Sequence, residues 1–215
     1  MTTAGLAPAR TFTPKGRATR DRIVAAAGRL MLEHGVESAK LEDIQSAAHV
    51  SASQLYHYFT DKSELILAVI DLQTETVLGA HRPVLERLGS FDALEEWRDL
   101  IVASIEATHC VGGCPLGSLA SGLAESDPAA RGALERSFAE WQRLLRVGLE
   151  TMRDRGELRP DIDADALALG VLASVQGGLL LSQTRRDSAA VRTAVTMAID
   201  HLRTLRVERS APVAD

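Results

Sequence analysis

Apolar side chains return every three or four residues along most of this chain, and that rhythm constrains the fold more than any other feature. From Arg17 to Val207 it is interrupted at Gly35, at His49-Val50-Ser51, across 110–117, at Asp127-Pro128 and from Gly156 to Pro160. A repeat near 3.6 buries one face of a helix, whereas a half-buried strand needs alternation at period two. Such alternation is sustained nowhere, aromatic residues make up only 4% of the chain, and Ala and Leu, both good helix formers, are abundant. The expectation is an all-α protein. At 215 residues it has room for one generous domain or two small ones.

The stripes predict a mobile arm over 1–16, then a helix from about Arg17 to His34 with Ile23, Ala26, Ala27, Leu30 and Met31 on one face. Gly35 is its stop. Two short helices follow, about Leu41–Ala48 and Ala52–Phe59, then a longer one from Lys62 to Arg82 or slightly beyond, striped by Leu65, Val69 and Leu72. Further helices are expected at Phe91–His109, Ser118–Glu125, Pro128–Arg155, Asp163–Arg185 and Ser188–Val207. The stretch 110–117, with three Gly and one Pro, is excluded from a helix interior. This organises the chain as an arm (1–16), a head (17–61) and a body (62–208).

Charge separates head from body. The first 62 residues hold eight Lys and Arg against six Asp and Glu, and the remainder sixteen against twenty-three. A modestly basic end on an acidic body suggests that only that end meets a polyanion. The N-terminus lacks an apolar signal core, and the expectation is that no charge-free apolar run is long enough to span a bilayer. Two cysteines make no disulfide framework. These features point to a soluble, cytoplasmic protein without a membrane partner. An enzyme has no support, for there is no paired nucleophile and base, no Gly-rich phosphate loop and no H-E-x-x-H. No cofactor is implied.

Two short helices joined by three residues and preceded by a longer helix form a helix-turn-helix arrangement. Ser51 and Gln54 have the spacing of a capping box that opens the second short helix. Ile44, Ala47, Ala48, Val50 and Leu55 can share a small core, leaving Ala52, Ser53, Gln54 and His57 to face outward. Ser and Gln suit base edges, Gln pairing bidentately with adenine. The Tyr56 hydroxyl can reach a phosphate, and Lys62 adds charge beside free backbone N–H groups. Tyr58 and Phe59 read as core. The arm's Arg10, Lys15, Arg17 and Arg20 either reach neighbouring phosphates or stay solvated.

The stretch 20–65 resembles the N-terminal region of the TetR family of bacterial transcriptional regulators. The matching pieces are Arg20-x-x-Ile23, Ala26-Ala27, Leu30, Gly35, Asp43-Ile44, Ala47-Ala48, Val50-Ser51, Leu55-Tyr56-x-Tyr58-Phe59 and Lys62-x-x-Leu65. Gly113-Cys114-Pro115-Leu116-Gly117, with Phe138, Trp141, Gly156-Glu157-Leu158 and Gly177-Gly178, is similar to one C-terminal class of that family. The resemblance implies a three-helix DNA-binding head and a helical body that binds a small ligand and dimerises. It implies a repressor released from a palindromic operator by a small, largely apolar molecule. It also implies DNA contacts at Lys40, Ser51, Ser53, Gln54, Tyr56, His57 and Lys62, with Tyr56 and Lys62 on phosphates. Three positions depart from the family pattern: His49 replaces the usual turn glycine, Ala52 a common lysine, and Ala39 a common capping threonine, so Ser38 is expected to cap instead.

In the body, the helix around Ala166–Leu181 is apolar nearly all round and reads as buried on several sides. The last helix has its own stripe of Val191, Val195, Ala198, Leu202 and Leu205. Two such helices from each of two chains would make a four-helix interface in a homodimer. Candidate ligand-binding residues are Trp97, Ile101, His109, Phe138, Trp141 and Gln176, with the loop from His109 to Leu116. His109-Cys110-x-x-x-Cys114 lacks the second ligand pair of a zinc site. It also lacks a basic neighbour in sequence to activate a thiol, so buried, inert cysteines are expected.

Overall fold

Thr13 opens the first helix: its hydroxyl accepts the Gly16 N–H at 3.2 Å, and Pro14 takes the first turn, where its missing N–H costs nothing. The computed structural model describes residues 12–207. Among them are nine helices: α1 (Pro14–His34), α2 (Leu41–Ala48), α3 (Ala52–Tyr58), α4 (Lys62–Leu85), α5 (Phe91–Ala107), α6 (Pro115–Leu123), α7 (Pro128–Asp154), α8 (Ala164–Arg185) and α9 (Ala189–Thr204). The all-α expectation holds. Because of its cap, α1 begins three residues before the Arg17 that periodicity suggested. The rest of the expected arm, 1–11, lies outside the described residues.

The chain divides after Val69 into two compact units. In the first, Ile23, Ala27, Ile44, Ala48, Leu55, Phe59, Leu65 and Val69 are buried together. Two long-range ties add to this core. The Arg22 Nε donates to the Ala48 carbonyl at 2.8 Å, and the Lys62 Nζ to the Val36 carbonyl at 2.8 Å. Leu72, expected in the α4 stripe, lies in the second unit and is exposed.

The second unit packs α5 to α9 with the remainder of α4. Three of its helix starts carry side-chain caps: Ser90 on α5, Asp127 on α7 ahead of Pro128, and Asp163 on α8. α6 corrects the sequence reading, which placed its start at Ser118. Cys114 is the N-cap and Pro115 the first helical residue, a position proline favours, so the GCPLG stretch begins a helix. Two glycines permit close approach. A Cβ on Gly148 would fall 1.9 Å from Leu88 Cδ2, and one on Gly178 would fall 2.7 Å from the Val191 Cα.

α8 corrects a second expectation. Residues 166–184 carry no ionisable group, and the helix is long and apolar enough to cross a membrane. Here it is a bundle helix, packed by α7 and α9, with its buried Ser182 Oγ accepting the Val191 N–H at 3.1 Å.

Candidate nucleic-acid interface and body sites

The turn between α2 and α3 rests on His49, which ends α2 in the left-handed region at φ 51°, ψ 51°. Its N–H reaches back to the carbonyls of Gln45 and Ser46. A non-glycine residue pays a steric cost there, and histidine is among those that tolerate it. Ser51 then caps α3. Its side chain accepts the Gln54 N–H at 3.2 Å while Gln54 Oε1 accepts the Ser51 N–H at 3.0 Å. This is the reciprocal capping box that the Ser-x-x-Gln spacing predicts.

With Leu55 buried as the anchor of α3, Ser51, Ala52, Ser53, Gln54, Tyr56 and His57 are all exposed. Tyr56 is 53% exposed, unusual for an aromatic side chain unless something covers it. His57 packs edge-on against Tyr58, ring centroids 5.0 Å apart. Tyr58 in turn lies 5.2 Å from Phe12. Phe59 is fully buried, with the Arg20 guanidinium 5.2 Å from its ring centroid. Tyr58 is therefore only half core. The aromatic link from Phe12 to α3 was not legible, because Phe12 stands outside any periodic segment.

Two expectations at the rim of this face change. Ser38 does not cap α2. Lys40 is the N-cap and makes no side-chain capping bond, so Glu42 and Asp43 in the first turn are left to balance the helix dipole. Nor is Lys62 an unattached cation beside open N–H groups. Its ammonium is half-buried on the Val36 carbonyl, and the Glu64 N–H is taken by Asp61 Oδ1 at 2.8 Å.

In the second unit the six candidate ligand residues do not converge. Trp97, Ile101 and Trp141 are buried in the core, Phe138 is half-buried and His109 is exposed. The two tryptophans instead clamp His81. The Trp97 Nε1–H donates to His81 Nδ1 at 2.9 Å, and the His81 ring lies 4.9 Å from Trp141. Burial lowers the His81 pKa to about 4. Trp141 Nε1 is buried and has no hydrogen-bond partner among the described residues.

Gln176 lies elsewhere, in a groove of about 540 Å³ between α6 and α8. Cys114, Gly117, Ser118 and Ser121 form one wall, and Gln176, Gly177, Leu180 and Gln183 the other. The other five candidates do not line it. Cys110 and Cys114 are both buried, and burial pushes the Cys114 thiol up, away from the reactive thiolate. His109 and Cys110 both take positive φ ahead of Gly112 and Gly113, giving a loop tightened by the Cys110 N–H on the Ile105 carbonyl at 2.7 Å.

Among the described residues, nothing covers several apolar side chains on the outer sides of α8 and α9. Leu169, Leu181 and Met197 are 55%, 55% and 67% exposed. A groove of about 540 Å³ runs between the two helices, lined by Ala166, Gly170, Ala194 and His201 among others.

Comparison with known proteins places these features. Residues 23–69 match a family model described as bacterial regulatory proteins, tetR family. Residues 90–198 match a tetracyclin repressor-like C-terminal domain. The chain is 29% identical over 174 residues to an uncharacterised HTH-type transcriptional regulator in the lacX 3′ region of Lactococcus lactis subsp. lactis, covering 80% of this chain and 86% of that protein. It is 25% identical to the HTH-type transcriptional repressor DhaR of Mycobacterium sp. (strain GP1), covering 85% and 91%. Among solved structures, a TetR transcriptional regulator from Chloroflexus aurantiacus superposes with a TM-score of 0.75 at 26% identity, covering 88% of this chain and 96% of that one.

Proposed function

Because this chain belongs to the TetR family of bacterial regulatory proteins and is a DNA-binding transcriptional regulator, we propose that it works as a homodimeric repressor whose grip on a palindromic operator is loosened by a small molecule in its body. The observation that carries this reading is the exposed polar row of α3, locked in place by its capping box and the left-handed His49. A helix entering the major groove must present short polar groups and be rigid, and α3 meets both conditions.

In this reading Ser53 and Gln54 face base edges, with Ala52 and His57 beside them. Tyr56, Ser51 and Lys40 hold phosphates, and Lys62 lends charge while it braces the head. The two heads of a dimer read two half-sites, so the exposed faces of α8 and α9 pair across a twofold axis. The effector acts through a difference in affinity between two states of the dimer and needs no contact with DNA. In this reading the protein works in the cytoplasm, beside the DNA it binds.

Fluorescence anisotropy on the DNA upstream of its own gene, with scrambled duplex as competitor and several salt concentrations, tests the proposal. Competitor-resistant binding is expected, with a log–log salt slope of about 0.9 per neutralised phosphate. Equal, weak binding to both duplexes would count against an operator there.

A further inference from the structure

We infer that the α6–α8 groove is a binding site for an uncharged small molecule bearing a hydrogen-bond acceptor such as a carbonyl oxygen; this deepens the ligand-responsive reading above and rests on it. The first support is its construction. Gln176, Leu180 and Gln183 are spaced i, i+4, i+7 and lie on one face of α8. Cys114, Ser118 and Ser121 repeat the same spacing from the cap of α6 into the helix.

Glycines make room for the two amides. A Cβ on Gly113 would fall 2.4 Å from Gln183 Oε1, and one on Gly117 would fall 3.0 Å from Gln176 Oε1. The GCPLG stretch is thus shaped around α8's glutamines, a packing need its sequence does not reveal.

The second support is chemical. Among the described residues, the buried Gln176 Nε2 finds no oxygen or nitrogen acceptor, and its amide has only the weakly accepting Cys114 sulfur beside it. A buried amide donor left with so weak a partner is costly, and a bound oxygen acceptor would remove that cost. No lining residue carries a charge at neutral pH, since Cys114 is held as the thiol by burial. An ionic ligand would therefore lose its hydration without a counter-charge. Amides, hydroxyls and the Leu180 side chain together suit a molecule with one polar acceptor and an apolar body.

The probe is acetophenone, neutral with one carbonyl, compared with benzoate, which has the same ring and a charge. Side-chain amide resonances of the full-length, 15N-labelled protein are followed during each titration. Acetophenone should move the Gln176 and Gln183 amides, and benzoate should move neither. Gln176→Leu should weaken acetophenone binding about fivefold, the scale of one hydrogen bond. Ser121→Phe, placed on an exposed position that faces the groove, should abolish it while leaving the backbone fingerprint intact.

The inference is overturned if acetophenone leaves both amides unmoved, if benzoate moves them equally, or if only the indole signals of Trp97 and Trp141 respond. Operator anisotropy separates this from the broader reading. Release of DNA by acetophenone that survives Ser121→Phe would sink the groove and keep the ligand-responsive regulator. Amide shifts without any change in DNA binding would keep the site and remove its role as effector site.

Discussion

Gln54 is asked to do two things with one amide. Its Oε1 accepts the Ser51 N–H, and bidentate pairing with adenine would need that same oxygen. The cap occupies one of the two lone pairs of that oxygen and fixes the amide's direction, leaving Nε2 to reach a base acceptor. Replacing Ser51 by Ala removes the other half of the box and should cost about 1 kcal/mol of stability in urea denaturation, with weaker binding on every DNA sequence. Gln54→Ala should add a loss of discrimination between operator and scrambled duplex, which competition anisotropy reads directly.

His81 provides a second residue-scale prediction, on pH. Its pKa falls from an ordinary 6.5 to about 4 because burial penalises the imidazolium. Between those values the unfolded chain binds a proton that the native protein does not, so stability declines as pH drops from 6.5 towards 4. The contribution is on the order of 3 kcal/mol. His81→Gln can still accept from Trp97 and should flatten that part of the pH–stability curve relative to the wild type. Both tryptophans of the chain flank this site, so their fluorescence reports the unfolding.

At the level of elements, the outcome turns on whether the controlling chemistry was local. The α2–α3 turn was legible because His49, Ser51 and Gln54 act within a few residues of one another. The start of α6 was misplaced because glycine content outweighed Pro115, whose fixed φ and absent N–H suit a first turn. The cap of α2 was misjudged for a different reason. A serine at 38 is only useful if the chain enters the helix there, and Lys40 is where it enters. Helix-to-helix spacing was legible only in part. Gly178 reads in the sequence as room for a neighbouring helix, but only the structure identifies that neighbour as α9, whose backbone approaches at Val191. Gly178→Ala should therefore destabilise by about 1–3 kcal/mol through overpacking, outweighing a helix-propensity gain of about 1 kcal/mol. Gly79→Ala on α4, where a Cβ would meet nothing within 4 Å, should show that gain unopposed. Thermal melts of the two variants should move in opposite directions.

For the whole molecule, the question is what covers the outer face of α8 and α9. The candidate pocket residues scattered because pockets are made by helices distant in sequence. Periodicity places Trp97 and Trp141 on buried faces without saying which helices those faces meet. The α8–α9 face is different, because apolar side chains that stay uncovered among the described residues are visible both in the sequence and in the structure. Leu181 and Met197 are more than half exposed, the first on α8, a helix apolar enough to suit a bilayer, and the second on α9. A second copy would cover them and would also bring two heads to one operator. Leu181→Glu with Met197→Glu puts like charges on both sides of that twofold interface without entering the monomer's core, so helicity by circular dichroism should be unchanged. Light scattering should then give a monomer where the wild type gives a dimer. The operator preference should collapse to half-site affinity, because a single head contacts fewer phosphates and bases. The salt slope should fall in proportion to the phosphates lost, about 0.9 for each. A wild type that is already monomeric at micromolar concentration, or a double variant that keeps full operator affinity, would show that this face serves some other partner.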